Sequence, residues 1–571
     1  MSSVPPEIRR APLKYDERGP YHEWTLTSSK LTDLVELVVP PRCVLPVIFV
    51  PGIMGSNLRM KKGTEPVWRL DTALGDRPLN LVRKFVNADE GKRQLLLHPD
   101  RVEVDPDGAV PERVDTIGDK DALRKRGWGT VGEGSYQDFL IWLEQKLNPP
   151  ERNPARWRDY YQDQATIGAP LKPGEEPRLF PGIRMGVAGQ PFGAEKSFDS
   201  LTTDDLLKRA KFWMPVYACG YNWLDSNKVA AQSTLAPLID KLIAQYHNRS
   251  LDCAQVILVT HSMGGLVARA CSELRGMQDK IAGIVHGVMP SIGAAVAYRR
   301  CKVGMRDEDF WASLVMGRTG KAVTAVFAQA PGALQLLPTQ DYSPSWLRIV
   351  EGKQALKSYP ATDPYSDIYL CRDKWWGLVN EEWLAPVGGV PIKWPKFSAN
   401  VAKAKEFHQE ISGKYHPNTY VYYGADAKQA SFQNITWRLK PGLSPGKGTG
   451  PSAAQVPELD KGAVRLSGST PAYVGGETVV QSYSMPYGGD GVRYLETSFW
   501  ELHCDKQDGV GDGTVPETSG ANPKALGGAN IKQQFRLTGF DHEGSYRDSI
   551  MARNATLYAI SRIAGQAKLP Q

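Results

Sequence analysis

Short apolar runs, each closed by small or turn-forming residues, punctuate this chain. Val47-Ile-Phe-Val50 runs into Pro51-Gly52, Val256-Ile-Leu-Val259 into Thr260-His261-Ser262, and Thr419-Tyr-Val-Tyr-Tyr423 into Gly424. Phe212 to Ala218, Ile281 to Val288 and the stretch from Phe535 read the same way. Apolar character without alternation marks strands covered on both faces. A helical pattern over Val229 to Tyr246 separates two of them, and this alternation predicts a parallel sheet flanked by helices. Elsewhere the rhythm breaks. Ser135-Tyr-Gln-Asp138 predicts an N-cap at Ser135 for a helix through Phe139 to Leu143, halted after Asn148 by a Pro-Pro pair. Further helices are expected over Phe310 to Met316 and Ala322 to Ala328. Residues 440–455 are rich in Pro, Gly and Ser and read as a mobile loop.

Two strand ends carry chemistry. In Thr260-His261-Ser262-Met263-Gly264-Gly265 an apolar strand ends in a serine and passes at once into small residues and a helix. That is the layout of the nucleophile elbow of an α/β-hydrolase, with Ser262 as nucleophile. Thr260 stands where the usual pattern has glycine, so packing beneath the elbow must differ. The earlier end, Pro51-Gly52-Ile53-Met54-Gly55-Ser56-Asn57-Leu58, is placed to be an oxyanion loop. A tetrahedral intermediate bears negative charge on oxygen, which this fold stabilises with the amide after the nucleophile and one from an earlier loop. The donors expected are the backbone N–H groups of Met263 and Met54.

A serine hydroxyl needs a base, and the base needs a carboxylate to fix its tautomer. His542, in Phe540-Asp541-His542-Glu543, supplies the base, and Asp512, in Gly511-Asp512-Gly513-Thr514-Val515, supplies the acid, in the chain order this fold uses. Asp505 and Asp508 on the same loop compete with Asp512. Asp541 adjoins the histidine, but neighbours on an extended segment point to opposite sides. His261, His286, His408 and His503 are taken as packing residues.

These loops resemble a known group. Pro-Gly-Ile-Met-Gly-Ser-Asn-Leu, the segment Cys219-Gly220-Tyr221-Asn222-Trp223 and Gly-Asp512-Gly-Thr-Val are similar to lecithin–cholesterol acyltransferase and its lipase relatives. His-Ser-Met-Gly-Gly is similar to GPI inositol-deacylase-like lipases. Within that group the chain most resembles bacterial type VI secretion phospholipase effectors. The resemblance covers roughly residues 43 to 70, 212 to 300, 331 to 338, 416 to 425 and 500 to 563. It implies a Ser262, Asp512, His542 triad, a lipid or phospholipid substrate met at a membrane surface, an immunity protein as partner and delivery with a secretion spike component into a neighbouring cell's periplasm. The same residues would serve an acyltransferase or a general esterase, and a catalytically silent binding module is the reading from another class.

The chain has 571 residues, more than this core needs. Ser262 and Asp512 are separated by 250 residues, so a cap must be inserted between them. The expected division is an arm over 1–42, a discontinuous α/β-hydrolase core over 43–60, 212–300, 415–432 and 500–571, a first insertion over 61–211, a second insertion or lid over 301–414, and a loop-rich insertion over 433–499. Trp375, Trp376, Trp383 and Trp394 would line an acyl groove, face a membrane or form the cap's own core. A net charge of +7, with 69 basic against 62 acidic residues and no nucleic-acid motif, sets nucleic acid aside. No apolar run reaches the ~18 residues of a membrane span. The first 40 residues lack the apolar region and small-residue cleavage site of a secretory signal, which predicts synthesis in the cytoplasm and export by a signal-independent route. The 7 cysteines do not form a disulfide framework, and no metal-binding pattern is found. No cofactor is expected; Ca²⁺ at Asp505, Asp508 and Asp512 is considered, but the spacing fits no EF-hand loop.

Overall fold

Val47 and Phe49 point to one face of the central sheet, and Ile48 and Val50 to the other. All four are fully buried, so this strand is covered on both sides, as its unbroken apolar character requires. The computed structural model describes residues 41–69, 88–114, 116–148, 193–195, 201, 203–306, 317–444, 450–475, 478–484, 490–496 and 498–569, together with short strands at Ile8–Ala11, Leu13–Asp16, Gly19–His22 and Leu34–Leu37. The helix expected over Phe310 to Met316 lies outside the described residues, as does most of the chain after Asn148 up to residue 200.

Six parallel strands form the core sheet: β1 (Val47–Val50), β2 (Val216–Ala218), β3 (Val256–His261), β4 (Ile281–Gly287), β5 (Thr419–Gly424) and β6 (Ile531–Leu537), in the order β2-β1-β3-β4-β5-β6. Helices cover both faces. On one side lie α1 (Glu133–Leu147) and α4 (Ile550–Gln566), whose Phe139, Leu143, Ile560 and Ile563 meet Phe49, Val259 and Phe535. On the other lie α2 (Ala236–His247) and α3 (Gly264–Ser272), whose Ile239, Leu242, Leu266 and Val267 meet Ile48, Leu258 and Ile284. Parallel strands joined by crossover helices present their carboxyl ends along one edge, the usual place for a site. Met54, Ser262 and Asp512 all follow closely on carboxyl strand ends or the loops beside them.

Ser135 is not the N-cap. The helix starts two residues earlier, with Gly132 as its cap, and the Ser135 hydroxyl instead donates to Glu543 Oε1 at 2.9 Å. A tertiary acceptor takes the hydroxyl that sequence assigned to the helix end. The segment 433–499, expected to be loop-rich, contributes strands. Ile435–Ser444 pairs with Ser498–Cys504 in a second six-stranded sheet that also contains Leu347–Glu351, so the two predicted insertions share one layer. Within the expected mobile loop, residues up to Ser444 continue this strand, Ala453–Glu458 forms a short helical turn, and 445–449 lie outside the described residues. Pro and Gly dominate the composition there, but cross-strand pairing with Ser498–Cys504 overrides it.

The cap tryptophans are core rather than lipid-facing. Trp375, Trp376 and Trp383 are buried, and the two indoles of the pair donate to the carbonyls of Val456 and Pro457, each at 2.9 Å. Trp394 is half-buried under the Arg372 guanidinium. Among the described residues no helix is long and apolar enough to cross a membrane.

Candidate active site

Ser262 occupies the turn between β3 and α3 with φ 50°. A side chain beyond glycine pays for this left-handed conformation by an order of 1–3 kcal/mol, and the turn keeps it by tethering the Ser262 amide to the Gly287 carbonyl at 2.9 Å. The next turn must approach the end of β1: a Cβ on Gly264 would lie 2.4 Å from the Val50 carbonyl oxygen, so only glycine fits. Thr260 is accommodated by pairing. It lies opposite His286 on β4, and its hydroxyl sits 2.9 Å from His286 Nδ1.

The predicted triad residues come together from three distant parts of the chain. His542 Nε2 lies 2.8 Å from Ser262 Oγ, and His542 Nδ1 lies 2.8 Å from Asp512 Oδ2. The carboxylate accepts only, so Nδ1 carries the proton and Nε2 is free to take the serine's. Asp512 is almost fully buried, and its second oxygen accepts the amides of Thr514 and Val515 at 3.0 and 2.7 Å. Those two bonds hold the carboxylate in place and satisfy it where water is absent. The competitors are occupied elsewhere. Asp505 pairs with Arg438, Asp508 accepts the amides of Gln433 and Asn434, and Asp541 accepts the Gly544 amide at 2.6 Å.

Met54 has φ 63°, and among the described residues neither its amide nor that of Met263 donates to another backbone group. The loop around Met54 is fixed from outside: the Trp68 indole donates to the Met54 carbonyl at 2.6 Å, and the Tyr221 hydroxyl to the Pro51 carbonyl at 3.0 Å. Of the residues that tether it, Trp68 gives no signal in sequence as a site residue, and Tyr221 lies in the segment Cys219 to Trp223 that carries the resemblance.

Of the histidines taken as packing residues, His286 and His408 are buried and deprotonated, with burial pushing their imidazoles down to about 3 and about 4. His408 is held by Tyr365 and the Gln335 carbonyl, and His503 pairs with Glu501 at 2.9 Å. His261 differs, since it touches the site directly. Its Nε2 donates to the His542 carbonyl at 2.9 Å. Among the described residues no group of acidic, histidine or cysteine side chains is arranged to hold a metal ion.

Residues 217–328 match the model of the PGAP1-like alpha/beta domain, a stretch that includes Ser262 and ends before Asp512 and His542. The chain has the α/β-hydrolase fold, and this part of it is similar to the PGAP1-like alpha/beta domain. A solved structure described as "The crystal structure of Tle4-Tli4 complex" is similar to this chain at 28% identity and a TM-score of 0.66, over 91% of this chain and 98% of that one. "Phospholipase PlaB from Legionella pneumophila" matches at 11% identity over 51% of this chain and 72% of that one, with a TM-score of 0.14. No curated protein is matched.

Proposed function

We propose that this α/β-hydrolase is a serine-dependent phospholipase that acts as an antibacterial effector. The observation that carries the reading is the unbroken run Ser262, His542, Asp512, with both links at 2.8 Å. Ser262 Oγ attacks an acyl carbonyl while His542 takes its proton; Asp512 holds the ring and offsets the imidazolium charge. The amides of Met54 and Met263 receive the developing oxyanion. His542 then returns the proton to the leaving alcohol, and water, activated by the same ring, releases the fatty acid from the acyl-enzyme.

A membrane lipid as substrate is supported by the lipase resemblance of the loops. A bound protein partner is supported by the similarity, over nearly the whole chain, to one component of a two-protein complex. We read that partner as an immunity protein, and delivery as injection with a secretion spike into a neighbour's periplasm. The test is expression of the protein, with an export signal added, in the periplasm of a susceptible bacterium, followed by lipid analysis. Wild type should stop growth and release free fatty acid from phospholipid, and Ser262→Ala should do neither. Equal toxicity of the two, or toxicity without fatty-acid release, contradicts the reading.

A further inference from the structure

The residue before the nucleophile is a histidine that the triad does not use. His261 is buried, and both its ring nitrogens are engaged. Nε2 lies 2.9 Å from the His542 carbonyl oxygen and Nδ1 lies 2.9 Å from the Tyr136 hydroxyl, which in turn lies 3.3 Å from the Gly52 amide.

The chemistry of the partners fixes the direction of each bond. A carbonyl oxygen only accepts, so Nε2 carries the proton. Burial pushes the His261 imidazole down to about 3, so the ring is neutral and Nδ1 is a bare lone pair. Burial also pushes the Tyr136 phenol above its ordinary range, so it keeps its proton and donates it to Nδ1. Its oxygen then accepts the Gly52 N–H. The result is a single directed run from the Gly52 amide through Tyr136 and His261 to the His542 carbonyl. One end stands two residues before Met54, in the loop that offers an oxyanion donor. The other end is the residue that serves as base.

We propose that His261 and Tyr136 are positioning residues that lock the Met54 loop to the His542 loop across the back of Ser262. This rests on the ester-hydrolase reading. Donor and base must hold their places to within fractions of an ångström while charge develops at Ser262, and a dry polar run of fixed direction does this where solvent cannot compete. The neutral state of His261 matters for a second reason. Its ring centroid is 5.3 Å from that of His542, and a positive charge there would oppose the imidazolium that forms when the serine is deprotonated. Tyr136 belongs to α1, outside the sheet, so this helix becomes part of the site rather than a covering layer.

Tyr136→Phe removes one hydroxyl and keeps the ring against Phe49, 4.9 Å between centroids. His261→Gln keeps a donor directed toward the His542 carbonyl and gives up the aromatic geometry. On a soluble short-chain p-nitrophenyl ester, each should lower kcat by about tenfold to a hundredfold, with KM changed less than about twofold. The double variant should be no worse than the weaker single one, because the two residues act as one run. Thermal unfolding should stay within about 5 °C of wild type. Wild-type kcat in either single variant, or losses that multiply in the double, would overturn the proposal. If Tyr136→Phe does not fold, the rate of fluorophosphonate labelling at Ser262 in His261→Gln decides in the same way. Wild type that neither cleaves the ester nor takes the label sinks the hydrolase reading itself; active wild type with unimpaired variants sinks the positioning role alone.

Discussion

Gly424, the last residue of β5, lies against Asp512: a Cβ added to it would fall 2.6 Å from the Asp512 Cβ. Non-bonded carbons do not sit so close, and backbone holds the aspartate on its other side through the Thr514 and Val515 amides. Gly424→Ala must therefore push the carboxylate away from His542. The variant is expected to fold, losing about 1–3 kcal/mol as an overpacked core does. Its kcat for a soluble ester should fall by about a hundredfold, as misplacement of a catalytic group by an ångström does. Wild-type turnover in Gly424→Ala would remove Asp512 from the account.

Asp512→Asn addresses the acid directly. The amide oxygen still accepts the Thr514 and Val515 amides, so the loop is kept, but the other side of the group now offers N–H toward His542 and favours the wrong tautomer. A loss in kcat of about 10⁴-fold is expected. Asp505→Asn, Asp508→Asn and Asp541→Asn, whose carboxylates bind Arg438, the Gln433 and Asn434 amides, and the Gly544 amide, should retain most of the activity. Parallel kinetics of the four variants check this, and a larger loss in Asp508→Asn than in Asp512→Asn contradicts it.

Thr260 tests whether the elbow is fitted to its unusual residue. Its hydroxyl is the partner of His286 Nδ1, and among the described residues His286 Nε2 has none. Thr260→Val keeps the shape and leaves the ring without a partner, a cost of about 1–3 kcal/mol. Thr260→Gly restores the commoner pattern yet opens a void against β4, and should also destabilise, by about 1–3 kcal/mol. Denaturant unfolding reads both; a more stable Thr260→Gly would show that the threonine is tolerated rather than fitted.

Acid should unfold the protein through its buried imidazoles. His261 and His286 are pushed down to about 3 and His408 to about 4, against 6.5 for the exposed ring. The folded form therefore binds fewer protons than the unfolded one below pH 6.5, and stability falls as pH drops from there toward 4. Above pH 6.5 both forms are neutral and these rings contribute no slope. Each ring should account for on the order of 2 kcal/mol by pH 5. Lys302 works in another window. Burial pushes its ammonium down to about 7 from 10.5, so its contribution to stability rises with pH between those values. Unfolding temperature against pH measures both, and His408→Gln should flatten the acid limb; an unchanged limb would contradict the assignment.

Sequence disclosed the core because its strands are buried on both faces and so carry unbroken apolar runs, and because the elbow and acid loops need residues of particular kind at particular spacing. The meeting of Ser262, His542 and Asp512 was legible for that reason. Tyr136 was not. It sits on a helix in an inserted segment, and its role depends on a contact with His261, 125 residues away in the chain, that no local pattern records. His261 itself stood in plain view beside Ser262, but a lone histidine carries no signal until both of its partners are placed. The second sheet was hidden for a related reason: strands around Leu347 and Ile435 pair across intervening core, and the strand Ile435–Ser444 runs into a Pro- and Gly-rich stretch that reads as loop. Ser135 shows the same limit at smaller scale, since a serine at a helix start satisfies a capping pattern equally well whether or not Glu543 lies within reach.

The central claim is that Ser262 is a nucleophile activated by His542. Labelled fluorophosphonate, incubated with the folded protein and followed by digestion and mass spectrometry, tests it most directly. The account predicts one adduct, on Ser262, formed in step with loss of fatty-acid release, absent in Ser262→Ala and slowed in His542→Ala by about 10³-fold or more. Folded wild type that takes no label at Ser262, or Ser262→Ala protein that still releases fatty acid, would contradict it.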